Sequence, residues 1–245
     1  MSDEANSDVQ AEREKSLEML IELSKDDDPR TRAYAIAGLA RTAEPRGFAP
    51  VLVALFDPVD EVRAAAATAL GIYGDERAIE ALEQCLDDPS EVVAANCAWA
   101  FGQIRATRCL DKLLELIADE SRSGTVRATA ATAVGERAAL AGSDLATSDE
   151  LIERSRIVLL NALEDENDEL RASCVWTLGH FPADKQTTGV CIELLEDDAE
   201  WVVRYAIEAL AHFGDLSALE PLEELADSEN EEIAQLAVQA IDMLR

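Results

Sequence analysis

An internal repeat of 31 residues constrains this chain more than any other feature of its sequence. Shifting the stretch 57–86, DPVDEVRAAAATALGIYGDERAIEALEQCL, by 31 places Asp57-Pro58 on Asp88-Pro89, Val62 on Val93, Leu70 on Phe101 and Gly71 on Gly102. The stretch reads as two helices: Asp57 caps an Ala-rich helix that runs to Gly71, and a second begins after Gly74-Asp75 and buries Ala78, Ile79, Leu82 and Leu86 on one face. Neither helix can bury its stripe alone, so the unit must stack on copies of itself. The copies carry DDPRTRAYAIAGLA from Asp27, GTVRATAATAVG from Gly124, DELRASCVWTLG from Asp168, WVVRYAIEALAHFGD from Trp201 and EEIAQLAVQAIDML from Glu231.

These residues resemble the HEAT-repeat family, in particular its short-unit phycobilisome-lyase HEAT-like class, whose pattern is D-P-x-V-R-x-x-A-A-x-A-L-G-x-x-G-D followed by A-I-x-x-L. The resemblance covers residues 26–245 and implies an all-α superhelix of about six helix pairs, but it implies no single function, because such solenoids serve many roles. The expected division is a disordered tail at 1–8, an N-terminal capping helix at 9–25, six repeats over 26–226 and a C-terminal capping helix at 229–245. Unit four breaks the rhythm: Arg127 and Arg171 are 44 residues apart, which places an insertion near 137–149 with Ser148 as the N-cap that follows it.

Composition fits a solenoid with a small-residue core: 48% of the 245 residues are hydrophobic and only 4% aromatic. The 51 acidic residues outnumber the 21 basic ones, and 17 of those 21 are Arg. Excess carboxylate with Arg favoured over Lys suggests a salt-adapted, halophilic proteome, with the acidic surface keeping the chain soluble. A net charge of -30 opposes direct contact with nucleic acid. No basic-then-apolar leader and no membrane-length apolar run is visible, and the five cysteines lack any C-x-x-C. All five read as buried, reduced small hydrophobes, which points to the cytoplasm.

Three ladders appear once the units are aligned. The first pairs an acid with an Arg six residues on: Asp26 with Arg32, Asp57 with Arg63, Asp165 with Arg171 and Asp198 with Arg204. The resemblance makes these a structural ladder, each Arg able to bridge to the next unit's turn. The second is Arg46, Arg77 and Arg108 at steps of 31, with Lys185 in the corresponding place, all at the start of a second helix where a cation opposes the dipole. Residues 29–118 hold 13 acidic and 9 basic residues against 25 and 6 over 143–245, so this column lies on the least acidic surface and is a candidate for holding a partner's carboxylates or phosphates, an inter-unit salt ladder being the alternative. The third is Trp99 and Trp176, at a position that elsewhere holds Thr68, Thr132, Glu208 and Gln239. Those occupants suggest exposure and a contact role; folding down over neighbouring Ala methyls is the alternative.

Catalytic patterns are absent from the sequence. His180 and His212 sit at equivalent positions with no further ligands beside them, and the His-Glu dipeptides of deoxyhypusine hydroxylases are missing. No P-loop, nucleophile elbow or metal quartet is present. The expectation is therefore a monomeric, non-catalytic scaffold or adaptor without a cofactor, binding a protein partner along its second helices through the Arg column. The alternative is a phycobilisome-lyase-like enzyme or chromophore/assembly chaperone.

Overall fold

The computed structural model describes residues 2–140 and 148–245, with side chains from Val9 onward. Every regular element among them is helical. The helices are α1 (Ser2–Leu23), α2 (Pro29–Thr42), α3 (Pro45–Ala54), α4 (Asp60–Tyr73), α5 (Ile79–Cys85), α6 (Glu91–Gln103), α7 (Thr107–Ala118), α8 (Gly124–Ala139), α9 (Asp149–Ala162), α10 (Asp168–Leu178), α11 (Lys185–Glu193), α12 (Glu200–Phe213), α13 (Leu219–Leu225) and α14 (Glu231–Leu244). Helix α1 extends into the stretch expected to be a tail. Most of the expected insertion at 137–149 lies outside the described residues; on its near side α8 runs on to Ala139, and on its far side Ser148 accepts from the Leu151 N–H and opens α9.

Local chemistry explains the boundaries. Asp28, Ser123, Asn167, Asp184 and Asn230 each accept a backbone N–H of the first turn of the helix they precede. Asp57 is not such a cap: Val59 holds the cap position of α4 without a side-chain bond, and Asp57 Oδ1 accepts from the Val59 N–H at 2.9 Å. The carboxylate thus stands one turn outside the helix, free to take a partner from elsewhere. Gly74, with φ of 61°, ends α4 in the left-handed region and returns its N–H to Gly71 and Leu70.

The contacts divide into two compact units, Met1–Cys109 and Leu110–Arg245. In the first, α2, α4 and α6 pack side by side, while α3 and α5 lie against that row and α1 covers α2. The row is built from Ala35, Ile36, Leu39, Ala66, Ala67, Leu70, Cys97, Ala98 and Phe101, nearly all without exposed surface. Alanine at the contacts lets backbones approach, and each Leu, Ile or Phe buried there is worth about 1.5–3 kcal/mol. In the second unit α8, α10, α12 and α14 form the row, with α9, α11 and α13 packed on it. Both units are repeated helix pairs of the all-α solenoid class.

The cysteine reading needs correction. All five are buried; Cys85 and Cys97 form a disulfide with Cα atoms 6.2 Å apart, and Cys109, Cys174 and Cys191 lie outside it as thiols. Cys85 ends α5, Cys97 faces inward on α6, and the short turn between the two helices brings them together. With this pair joined, the cysteines no longer argue for a reducing compartment. No helix of the described residues is long and apolar enough to cross a membrane.

Candidate partner-binding surface

The acid–Arg ladder is a set of rungs between consecutive units. Arg32 donates from Nε and Nη2 to the two carboxylate oxygens of Asp57 at 2.7 and 2.8 Å, and Arg63 does the same to Asp88 at 2.6 and 2.8 Å. Each also donates from Nη1 to a carbonyl of its own unit, Arg32 to Asp26 and Arg63 to Asp57, both at 2.9 Å. Arg171 repeats the arrangement on Asp197, at 2.8 and 2.9 Å, with its own-unit carbonyl at Asp165. Arg127 reaches Asp165 at 2.6 Å. At Arg32, Arg63 and Arg171 the Arg ties its own turn to the next unit's carboxylate, and the forked geometry adds orientation to charge; Arg127 makes a single bond to its carboxylate and donates from Nε to the Ile117 carbonyl. The Asp88 carboxyl is held below its ordinary pKa chiefly by the Arg63 hydrogen bond. At Asp57 burial pulls upward, and the Arg32 hydrogen bond, the Val59 N–H and the charges of Arg32 and Arg63 together outweigh it.

The pair Asp198 with Arg204 does not belong to this series. Unit six starts at Ala199, so the rung position, four residues after the cap, is Val203, and Arg204 instead meets Glu232 at 2.9 Å on a half-exposed surface. The carboxylate equivalent to Asp57 and Asp88 is Asp197, and Asp198, almost fully exposed, adds a second contact to Arg171. Counting six residues back from the Arg, where two Asp stand side by side, selects the wrong register by one.

The Arg column is not a row of free cations. Arg46 pairs with Glu14 of α1. Arg77 folds back on Asp75, Nη2 to Oδ2 at 2.5 Å, and lies over the Phe48 ring at 4.4 Å from its centre. Arg108 and Lys185 are exposed, Lys185 opening α11. Two of the three arginines thus join second helices to neighbouring elements.

The first helices present a different surface. In the corrected register each carries four outward positions at helical spacing i, i+4, i+7, i+11: Arg30, Tyr34, Ala37 and Arg41 on α2; Glu61, Ala65, Thr68 and Ile72 on α4; Val92, Asn96, Trp99 and Gln103 on α6; and Trp201, Tyr205, Glu208 and His212 on α12. Trp99 is half-buried, set on Gly71 of α4 so closely that a Cβ there would lie 2.6 Å from its Cζ3. Trp176 stands the same way on Gly135 of α8, where a Cβ would lie 2.5 Å from its Cζ3, and the His180 ring lies against its ring, centroids 4.3 Å apart and planes tilted by 55°. Both therefore act as plugs between first helices. The tryptophan that does project is Trp201, half exposed at the start of α12.

Where the plug is missing, a groove remains. Between α2 and α4 the plug position is Thr68 and its seat is Ala40; there Tyr34, Ala37, Ala40, Arg41, Ala65, Thr68, Ala69 and Ile72 line a groove of about 410 Å³. Its apolar walls are open to water, Tyr34 being 78% and Ile72 52% exposed. In the other unit, Gln239 and Ala211 hold the same places between α12 and α14 and leave a smaller groove of about 140 Å³ that carries Glu208 and His212. Among the described residues no three His, Cys, Asp or Glu side chains converge as a metal site.

A family model for HEAT repeats matches residues 17–100 and 158–242, more than half of the chain. The chain belongs to the HEAT-repeat family. A model for the PBS lyase HEAT-like repeat matches residues 93–119, overlapping the end of the first of these segments. Among solved structures, the YibA protein of Escherichia coli is similar at 22% identity with a TM-score of 0.64, over 94% of this chain and 81% of that one. The complex of CpcE and CpcF of phycocyanin lyase from Nostoc sp. PCC7120 matches at 18% identity with a TM-score of 0.53, over 94% of both chains. A designed armadillo repeat protein in complex with the peptide (KR)4 matches at 19% identity with a TM-score of 0.51, over 94% and 99%. At these identities the likeness is one of fold. No curated protein matches the chain by sequence.

Proposed function

We propose that this HEAT-repeat chain is a non-catalytic scaffold that binds a partner protein, and that in Met1–Cys109 the partner docks on the first-helix face. The observation that carries this reading is the groove between α2 and α4. An exposed Tyr on α2 and an exposed Ile on α4 border a floor of Ala and Thr, at the one place in the α2, α4, α6 row where no tryptophan fills the cleft. Contiguous exposed apolar surface of this kind is what partner proteins cover. On the second-helix face Arg46 and Arg77 are engaged within the chain, although Val53 and Phe56 are exposed beside a groove of about 530 Å³ along α3. The test is a photo-crosslinking residue at Thr68 in the groove and, separately, at the exposed Glu80 on α5. Adducts with a discrete partner at 68 and not at 80 support the reading; the opposite pattern overturns it.

The alternative, a phycobilisome-lyase-like enzyme or chromophore/assembly chaperone, draws on the repeat model matched over 93–119. A pigment that co-purifies with the native protein would favour it over the scaffold.

A further inference from the structure

We infer that the groove between α2 and α4 is built for an acidic partner segment: an apolar side chain seated between Tyr34 and Ile72, next to a carboxylate that pairs with Arg41. The inference rests on the reading of this groove as the docking site and goes beyond it by fixing the chemistry of the occupant.

Charge carries the argument. The chain has 51 acidic residues for 21 basic ones, yet the groove lining holds Arg41 and no carboxylate. Helix α2, PRTRAYAIAGLART, has three arginines and no acidic residue at all. Arg32 is committed to Asp57, whereas Arg30 and Arg41 are exposed and form no ion pair among the described residues, although Arg41 also borders a recess with Glu12, Glu14 and Glu44. Arg41 lies in the last turn, where the helix dipole favours a cation, so its place on the helix alone would be unremarkable. Arg30 lies in the first turn, where the dipole opposes one, so local helix stability does not account for it. The two stand on the same face as Tyr34 and Ala37, about 16 Å apart along the axis at 1.5 Å per residue. Glu61 on α4 shares the register of Arg30 and stands outside the groove lining, which leaves Arg41 as the principal cation.

The groove between α12 and α14 provides the contrast within the same repeat frame. There Glu208 replaces Ala37 and His212 replaces Arg41. A carboxylate brought to that cleft would meet another carboxylate; brought to the α2 cleft it meets an unpaired guanidinium. Exclusion of the wrong sign is as much a part of specificity as attraction of the right one.

The experiment uses the full chain and three fluorescent peptides of equal length: one with a central Leu flanked by Asp and Glu, the same peptide with Ser in place of Leu, and the same peptide with Lys and Arg in place of the acids. Binding is read by fluorescence anisotropy in wild type, Arg41→Gln, Tyr34→Ala and the double variant Ala40→Gly/Thr68→Trp, which places a tryptophan plug in the groove. The expected result is that the acidic Leu peptide binds best, that Arg41→Gln weakens it about tenfold, the scale of one charge-assisted contact, and that Tyr34→Ala and the plugged variant lose it. Equal or tighter binding of the basic or the Ser peptide, no binding of any of the three, or indifference to Arg41→Gln would overturn the inference. If a peptide of another charge binds and the plug abolishes that binding, the groove stands as the docking site and only its proposed chemistry fails. If binding survives both the plug and Tyr34→Ala, the docking site itself is wrong. Tyr34 is exposed, so its replacement leaves the fold intact even if the plugged variant does not fold.

Discussion

Two neighbouring clefts in Met1–Cys109 share one frame and are finished in opposite ways. The α2/α4 cleft is spanned by Arg32 on Asp57 and the α4/α6 cleft by Arg63 on Asp88, with distances that agree within 0.1 Å, 2.7 against 2.6 Å and 2.8 Å in both. Beyond the rung they diverge. The α4/α6 cleft holds Trp99 on Gly71, and its flank is closed by the Cys85–Cys97 disulfide. At the matching positions the α2/α4 cleft has Thr68, Ala40, Ala54 and Ala66. Spacing between helices is thus set by the repeat, while filling is decided cleft by cleft. A cleft left open beside one that is plugged and cross-linked is a rigid-walled recess, the geometry that lets a binder avoid ordering costs on association.

The largest effect should come from the cross-link. Replacing Cys85 with Ala removes a loop closure over a separation of 12 residues and is expected to cost about 3 kcal/mol by chain-entropy reasoning, read as a lower denaturant midpoint. Thiol titration of the unfolded, unreduced wild type should find three thiols, those of Cys109, Cys174 and Cys191; a count of five would remove the cross-link from the comparison. Next comes Trp99→Ala, expected to cost about 2–3 kcal/mol, toward the low end for a large aromatic because the ring is half-buried. It should also turn the α4/α6 cleft into a second groove. If Trp99→Ala is neutral, the ring is no plug.

How far the sequence revealed this depends on whether a feature lies within one helix or between two. The repeat, the helix pairs and the reach of each Arg to the next turn follow from spacing along the chain. Position 99 shares a column with Thr68, Glu208 and Gln239, which argues for exposure, yet the socket that half-buries Trp99 is made by Gly71 on another helix. Column occupancy cannot show that. Trp201 shows the converse: with Val203 at the rung it falls in the column of Arg30, Glu61, Val92 and Glu232, whose charged members mark it as solvent-facing. The cysteine pairing likewise depends on how α5 and α6 meet.

The rungs test whether the frame is common to both clefts. Asp57→Ala and Asp88→Ala are each expected to cost about 2 kcal/mol, between the values for surface and buried ion pairs, since both carboxylates are mostly but not fully covered. Equal losses support a shared frame; a markedly smaller loss at Asp57 would mean that the open cleft is also loosely built. Both carboxyls have depressed pKa values in the folded chain, so the stability they contribute is present above the unfolded aspartate value near 4 and is lost as pH falls through the folded values. Urea melts of wild type should weaken from about pH 5 downward, and the part of that slope due to Asp88 should vanish in Asp88→Ala.

The smallest effect is expected where the two clefts are made alike. In Ala40→Gly/Thr68→Trp the new indole would take the place that Trp99 has on Gly71, with the glycine removing the methyl that blocks its seat. Glycine inside α2 costs about 1 kcal/mol relative to alanine, and the apolar area covered by the indole offsets it, so the net change should stay below about 1.5 kcal/mol in either direction. Each single variant should be worse than the pair: Thr68→Trp alone would press its ring on the Ala40 methyl, and Ala40→Gly alone would leave an empty notch, giving a coupling of about 1 kcal/mol in a double-mutant cycle. A coupling of zero would mean that the tryptophan does not seat, and that something other than the Gly–Trp pair keeps the α4/α6 cleft closed. Favourable coupling together with loss of the partner crosslinks formed by a photo-crosslinking residue at Ala65, in the same groove, would show that one helix-to-helix contact separates a structural cleft from a binding one.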